Sequence, residues 1–317
     1  MKPSNLKKMI TVSKLYYEDN MTQDAIAKKL KISVPQISRI ITAAKNQGYV
    51  KTSVVDPFSE SDDLSKRLIS EFNLKDVRII KNSANDIRVT QTNASQAGAD
   101  YLLDIARAND IISIAYSNII YKIPQFLPKI HIENLSFVQP NGALFEQVKG
   151  YQFDTLREIG IKMDAYYYYF PAPAIVKDKQ VKEALHDDPI IKWVMEKAEK
   201  SNVAFFSVGL PNSNSVFVKN GYIDKDEIAK FKNEGAVGEI FGHFINAKGK
   251  IHNKDFDKRV LGLSISTLRE KAYSVCISAG EGLVDAIYAT LIGKYCNVLI
   301  TDTITAKQIL EMKSNKK

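Results

Sequence analysis

The sequence predicts an α/β protein: a mostly parallel sheet with helices on both faces, preceded by a small basic helical module. Three observations predict it. From Val77 onward, short apolar runs of strand character alternate with helical runs. Thr22–Val50 (TQDAIAKKLKISVPQISRIITAAKNQGYV) holds two short helical patterns with almost no linker. Residues 1–55 contain ten Lys/Arg against three Asp/Glu, a net +7 of the chain's total +8. Alternating βα units imply a parallel sheet, and a basic segment ahead of a near-neutral domain is the electrostatic footprint of a polyanion-binding module.

Length and composition bound the rest. At roughly 150 residues per domain, 317 residues suggest two domains. A hydrophobic content of 45% and a charged content of 25% are those of an ordinary soluble globular chain. No apolar run approaches the roughly 18 residues of a membrane span, and MKPSNLKKMI has no apolar stretch behind its basic residues. Two cysteines, Cys276 and Cys296, without metal-ligand spacing, point to a reducing compartment. Together these indicate the cytoplasm and no membrane partner.

The N-terminal module reads as three helices. Leu6–Tyr17 has helical periodicity, and Asn20-Met21 breaks it. Thr22 is an N-cap with Asp24 in the first turn. Ile26, Ala27 and Leu30 form the inner face of a short helix. The chain turns at Lys31, a position that suits positive φ. Ser33 caps the next helix, Pro35 falls in its first turn, and Ile37, Ile40 and Ile41 supply its apolar stripe. Gly48 ends it as a C′ glycine. Ala27 marks the close approach of two helices, and Ile37, ten residues on, packs back on the first. This is helix-turn-helix spacing over residues 1–56. In such a unit the second helix enters the major groove of double-stranded DNA. Its exposed positions are Ser33, Val34, Pro35, Gln36, Ser38 and Arg39. Gln36 suits adenine and Arg39 guanine or a phosphate, while Thr22 and Gln23 face the backbone. YVKTSVVD after Gly48 alternates like a strand and would form a small wing.

Asp56-Pro57 marks a boundary. Residues 57–73 form one amphipathic linker helix with Leu64, Leu68, Ile69 and Phe72 on a face, and 74–317 form the α/β domain. Its strands are expected at Val77–Ile80, Ile111–Ala115, Leu135–Val138, Ala165–Phe170, Val203–Val208, Tyr273–Ser278 and Asn297–Thr301. Helices are expected at Ala94–Ala108, Ile119–Leu127, Tyr151–Ile159, Val181–Ala198, Lys225–Lys230, Gly282–Ile292 and Thr305–Met312. Ligands in such sheets bind beyond the carboxyl ends of strands. That directs attention to Tyr116-Ser117-Asn118, Asn141-Gly142, Gly209 and Gly280-Glu281-Gly282. The aromatic strand Tyr166–Phe170 alternates sides, so one face could stack on a sugar.

Across its whole length the chain resembles the SorC family of bacterial transcriptional regulators. The opening helix-turn-helix carries this, with FSVG (Phe206–Gly209), GAVGEIFGHFINAKGKI (Gly235–Ile251) and SAGEGLVDAIYATLIGKYCNVLITDTITAKQIL (Ser278–Leu310). LYYEDNMTQDAIAKKL and GYVKTSVVDPF look most like the deoxyribonucleoside regulators. The resemblance implies a Rossmann-like effector domain similar to sugar-phosphate isomerases. It also implies a homodimer or homotetramer on a palindromic operator, and a small carbohydrate effector, usually phosphorylated. Its effector-binding positions would be Tyr116, Ser117, Asn118, Asn141, Gly142, Gly209, Gly280, Glu281 and Gly282. The family's Gly-Thr-Thr type turn is Ser117-Asn118-Ile119 here. The imine-forming lysine of the deoxyribonucleoside regulators aligns with Asn141 and a second family lysine with Leu283, so the expected pocket has backbone donors but no obvious cation.

No catalytic set competes. The four histidines (His131, His186, His243, His252) lack ligand spacing, and no Walker A or nucleophile elbow occurs. No metal or cofactor is expected. The alternative is an isomerase-like enzyme with a DNA-binding appendage, using Glu281 or Asp302 as base.

Overall fold

The computed structural model describes residues 3–50, 60–81, 87–143 and 151–315. The chain divides into two compact units, Met1–Asp56 and Pro57–Lys317.

The first unit is three helices, α1 (Pro3–Tyr17), α2 (Gln23–Leu30) and α3 (Val34–Asn46). Its core is Val12 and Leu15 from α1, Ile26 and Ala27 from α2, and Ile37 and Ile41 from α3. The Thr22 hydroxyl accepts from the Ala25 N–H at 3.2 Å, so the capping residue is the expected one. Lys31 takes the left-handed conformation at φ 54°, letting Ile32 N–H return to Ala27 O. Gly48, at φ +76°, closes α3, and Tyr49 N–H reaches back to Ala44 O. The expected wing lies, from Lys51 onward, outside the described residues.

The second unit runs α4 (Glu60–Phe72), β1 (Asp76–Ile80), α5 (Ile87–Ile105), β2 (Ile111–Ile114), α6 (Ile123–Phe126), β3 (Ser136–Val138), α7 (Tyr151–Met163) and β4 (Tyr166–Tyr168). It continues through α8 (Lys179–His186), α9 (Pro189–Lys200), β5 (Val203–Phe206), α10 (Val216–Lys219), α11 (Lys225–Asn233), β6 (Ala236–Ile240) and β7 (His243–Asn246). It ends with α12 (Lys254–Asp257), β8 (Tyr273–Ile277), α13 (Val284–Ile292), β9 (Val298–Asp302) and α14 (Thr303–Ser314). Seven strands form one parallel sheet in the order β1-β9-β8-β5-β2-β3-β4. These are the seven strands the apolar runs predict. Central β5 and β9 are buried at every residue, as parallel strands covered on both faces must be.

Neighbouring residues on a strand feed different layers. Phe137 packs with Leu102 of α5, Ile120 of the turn before α6 and Ile159 of α7, whereas Val138 packs with Ile191 and Val194 of α9. On the same face of the sheet as α9, beneath Ala204, Phe206 and Cys276, Leu64 and Leu68 of α4 are buried with Ile309 and Leu310 of α14 and Ile287 of α13. Among the described residues no helix is long and apolar enough to cross a membrane.

Two expectations need correction. The single helix expected over Val181–Ala198 is two, because Pro189 bars the helical conformation at Asp188. Asp188 instead caps α9, its carboxylate accepting from Ile190 and Ile191 N–H at 2.9 and 3.2 Å. The β6–β7 hairpin was not expected. Its two-residue turn, Phe241-Gly242, has positive φ at both positions (56° and 90°). That is type I′ geometry, and a phenylalanine at the first position hides the usual Asn-Gly signal.

Candidate functional site

Strand order reverses between β2 and β5: the chain steps outward through β3 and β4, then returns to the other side of β2. Parallel strands all end at one side of the sheet, so the loops after β2, β3 and β5 diverge around a crevice there. The crevice is a cavity of about 360 Å³, within the range of small-molecule sites.

Each wall has a local cause. After β2, the Ser117 hydroxyl accepts from Ile120 N–H (3.1 Å) and starts a short helical turn, presenting Tyr116 and Asn118 to the cavity. After β3, Gly142 N–H donates to Leu261 O, and residue 143 pairs with Pro173. A Cβ on Gly142 would lie 2.2 Å from Pro173 O, so only glycine fits. This pins Asn141, which is buried beside it. After β5, Gly209 forms a two-bond bridge with Glu239 of the hairpin: Gly209 N–H to Glu239 O at 2.9 Å, and Glu239 N–H to Gly209 O at 3.0 Å. The hairpin is thereby fastened across the cavity floor. Ser207 and Ser278 share a 3.1 Å hydroxyl contact, tying the ends of β5 and β8 together.

Six of the nine expected effector positions line this cavity: Tyr116, Ser117, Asn118, Asn141, Gly142 and Gly209. Gly280 and Gly282 do not, although Leu283 does. The physical reason lies beneath the turn. Gly280, at φ +122°, directs its N–H away to Asp302 Oδ2 (2.7 Å) and Thr305 Oγ1 (3.1 Å) at the start of α14. Asp302 is fully buried and also accepts from Thr305 N–H and Oγ1. The three bonds it accepts fix the turn and the start of α14, and it does not line the cavity. The side chain of Glu281 lies outside the described residues. None of the aromatic residues 166–170 lines the cavity; Tyr166–Tyr168 form β4, at the end of the sheet.

Two charged lining residues escaped the sequence reading. Glu239 is the only carboxylate and Lys219 the only cation among the described residues lining the cavity. Burial raises the Glu239 carboxyl from its ordinary 4.5 to about 7, against the stabilising donation from Gly242 N–H. Its other oxygen sits over Gly209, where a Cβ would come within 2.5 Å of it. Lys219 arrives at the rim from α10, whose N-terminus is capped by Ser215 accepting from Val218 N–H. Glu239 lies inside GAVGEIFGHF, so the hairpin signal that was missed would have located it. Lys219 sits in a polar stretch that carries no periodic signal. Amide and hydroxyl side chains (Gln91, Asn118, Asn212, Asn214) complete the polar lining, with Leu210, Val216 and Phe241 as apolar walls. Such a mixture suits a polyhydroxylated molecule with one anionic end.

In the first unit, Thr22, Ser33, Pro35, Gln36, Ser38 and Arg39 are exposed, and Gln23 is half-buried. Val34 is also half-buried, packed against the core of the unit rather than presented to solvent. Gln36 Oε1 accepts from Ser33 N–H at 3.2 Å, forming one half of a capping pair at the start of α3. In this conformation its side-chain carbonyl is engaged within the helix start, on an exposed residue.

Comparison with known proteins gives a consistent result. A family model described as "Putative sugar-binding domain" matches residues 56–311. The deoxyribonucleoside regulator of Bacillus subtilis is 30% identical over 302 residues, covering 95% of this chain and 96% of that protein. The sorbitol operon regulator of Klebsiella pneumoniae is 22% identical over 311 residues, covering 97% and 98%. The crystal structure of full-length SorC from Klebsiella pneumoniae superposes with a TM-score of 0.73 at 21% identity, covering 96% of this chain and 98% of that one. With a family model matched over the second unit and relatives aligned end to end through both, the chain belongs to the SorC family of sugar-binding transcriptional regulators.

Proposed function

We propose that the protein is a sequence-specific DNA-binding regulator of the cytoplasm whose operator affinity is set by a small carbohydrate in the cavity between β2 and β5. One observation carries the reading. The polar cavity stands at the strand-order reversal of a domain joined to a basic helix-turn-helix. Double-stranded DNA would be met by α3, with Ser38 and Arg39 on its exposed face reading base edges and Thr22 and Gln23 meeting the backbone. The regulator would act as a homodimer or homotetramer on two half-sites. Relatives aligned over the whole chain are regulators rather than enzymes, and the buried carboxylate Asp302 is committed to the Gly280 turn.

The effector we infer is a phosphorylated sugar held without a covalent bond. Asn141 brings no amine to the position where the resemblance leads one to expect an imine-forming lysine. Lys219 supplies the cation that sequence inspection did not find, and Glu239 supplies an acceptor for a sugar hydroxyl. Binding would shift the balance between two arrangements of the protein by its differential affinity for them. Thermal unfolding against a panel of free and phosphorylated pentoses and hexoses tests this. A ligand at about 100 times its Kd adds roughly 2.7 kcal/mol of stability. Stabilisation by a phosphosugar, weaker or absent with the matching free sugar, is expected. No stabilisation by any member of the panel would sink the carbohydrate reading.

A further inference from the structure

We propose that the β4 end of the sheet is a docking surface for a second copy of this chain. β4 closes the strand order, and among the described residues it pairs only with β3. An open strand edge offers unpaired N–H and C=O groups to another strand. Large apolar side chains gather around this edge. Tyr166 on the strand is 65% exposed, Ile190 and Trp193 on α9 are 66% and 48% exposed, and Ile161 on α7 is 55% exposed.

These side chains are contiguous. Ile190 and Trp193 are one turn apart on α9. Trp193 packs edge-on against Tyr168 with ring centroids 5.2 Å apart, and Lys197 Nζ lies 4.6 and 4.7 Å from the two rings. On the opposite face of the sheet, Tyr167 sits against Gly160 of α7, one residue before Ile161. The surface therefore wraps an open edge and continues over both faces of the sheet.

That shape selects the occupant. A lone helix, or a flat membrane, would cover one face and leave the strand edge unpaired. A second β4 edge, related by a two-fold axis, presents an open strand with apolar residues on both faces, so the surface is complementary to itself. Charge allows it: the exposed polar residues of α9 alternate in sign, with Lys192 and Lys200 against Glu196 and Glu199. Area allows it too. At roughly 200 Å² for a whole aromatic side chain, Tyr166, Tyr167 and Trp193 leave about 300 Å² in solvent. Ile161, Ile190 and the strand's own open backbone extend this toward the roughly 800 Å² per partner of a standard interface. A contiguous apolar patch of a few hundred Å² is within the range monomers expose and is often functional. The inference names the surface behind the oligomer of the preceding section and does not depend on the effector.

Trp193 is the chain's only tryptophan, so its fluorescence reports on this patch. The experiment follows the emission and the light-scattering mass of the full chain over a dilution series, for wild type and for the Tyr166→Glu and Ile190→Glu variants. The wild type is expected at twice the 35.6 kDa chain mass or more, with blue-shifted emission that moves red as the mass falls. Each variant is expected at half the wild-type mass at equal concentration, with red-shifted emission at every dilution. A wild type that is monomeric throughout would overturn the proposal. So would variants that keep the full mass, which would leave an oligomer built on another surface. A monomer whose emission shifts only on adding anionic phospholipid vesicles would overturn it in favour of a lipid partner. The dilution of the wild type requires no substitution, so the proposal remains falsifiable if a variant fails to fold.

Discussion

Replacing Glu239 by Gln isolates the electrostatics of the cavity floor. The folded protein holds a proton on this carboxyl up to about pH 7, while in the unfolded chain it leaves near 4.5. Between those values the folded state binds more protons than the unfolded one, so stability falls as pH rises. The penalty is absent below about pH 4.5 and complete above about pH 7. At 1.36 kcal/mol per pH unit, the displacement from 4.5 to about 7 amounts to roughly 3 kcal/mol. Solvent entering the cavity beside the carboxyl screens part of it, so about 1–3 kcal/mol is the expected size. Glutamine keeps an oxygen for the Gly242 N–H and never ionises. Glu239→Gln should therefore match the wild type near pH 5 and exceed it by about 1–3 kcal/mol near pH 8, measured by urea unfolding without effector. A difference between the two proteins that is the same at both pH values would refute the reasoning.

Three further outcomes are expected. Asp302→Ala strands the Thr305 N–H and hydroxyl in a buried site and leaves the Gly280 N–H only its 3.1 Å bond to Thr305 Oγ1. It should cost about 3 kcal/mol in denaturant unfolding, since hydrogen bonds to a charged acceptor are the strong ones. Lys219→Ala should weaken a phosphorylated sugar by roughly tenfold and leave its free counterpart unchanged in calorimetric titration, with a gap that narrows in high salt. Arg39→Ala should cost about 1–3 kcal/mol of operator binding and relax preference at one base pair, and equal loss on all sequences would assign Arg39 to the phosphate backbone.

Gln36 and Gly280 illustrate how a residue can be found by type while its hydrogen-bond partners stay hidden. The sequence identifies Gln36 as an exposed polar residue on α3, yet its carbonyl reaches back to Ser33 N–H, and only the folded helix start shows this. Gly280 was placed by its glycine-rich turn. Which way its N–H points depends on Asp302, 22 residues later and buried under the turn. A local signal names a turn but not the direction of its donors.

The sequence by itself determined the seven parallel strands in chain order and the helix-turn-helix ahead of them, but not the β6–β7 hairpin. Period-2 and period-3.6 patterns, capping residues such as Thr22 and the concentration of charge in residues 1–55 are local properties, written in consecutive side chains. They located the helix-turn-helix, all seven strands of the parallel sheet and the loops after β2, β3 and β5. The tertiary structure decided which loops share a cavity. That depends on strand order, and the return of the chain from β4 to β5 leaves no local trace. It also brought in Glu239 and Lys219, on a hairpin and a short helix whose positions follow from bridging to Gly209 and from packing around Phe217 and Phe244. Long-range contacts of this kind are formed by residues that are unremarkable in their own segment, which is why the chemistry of the cavity floor appears only once the chain is folded.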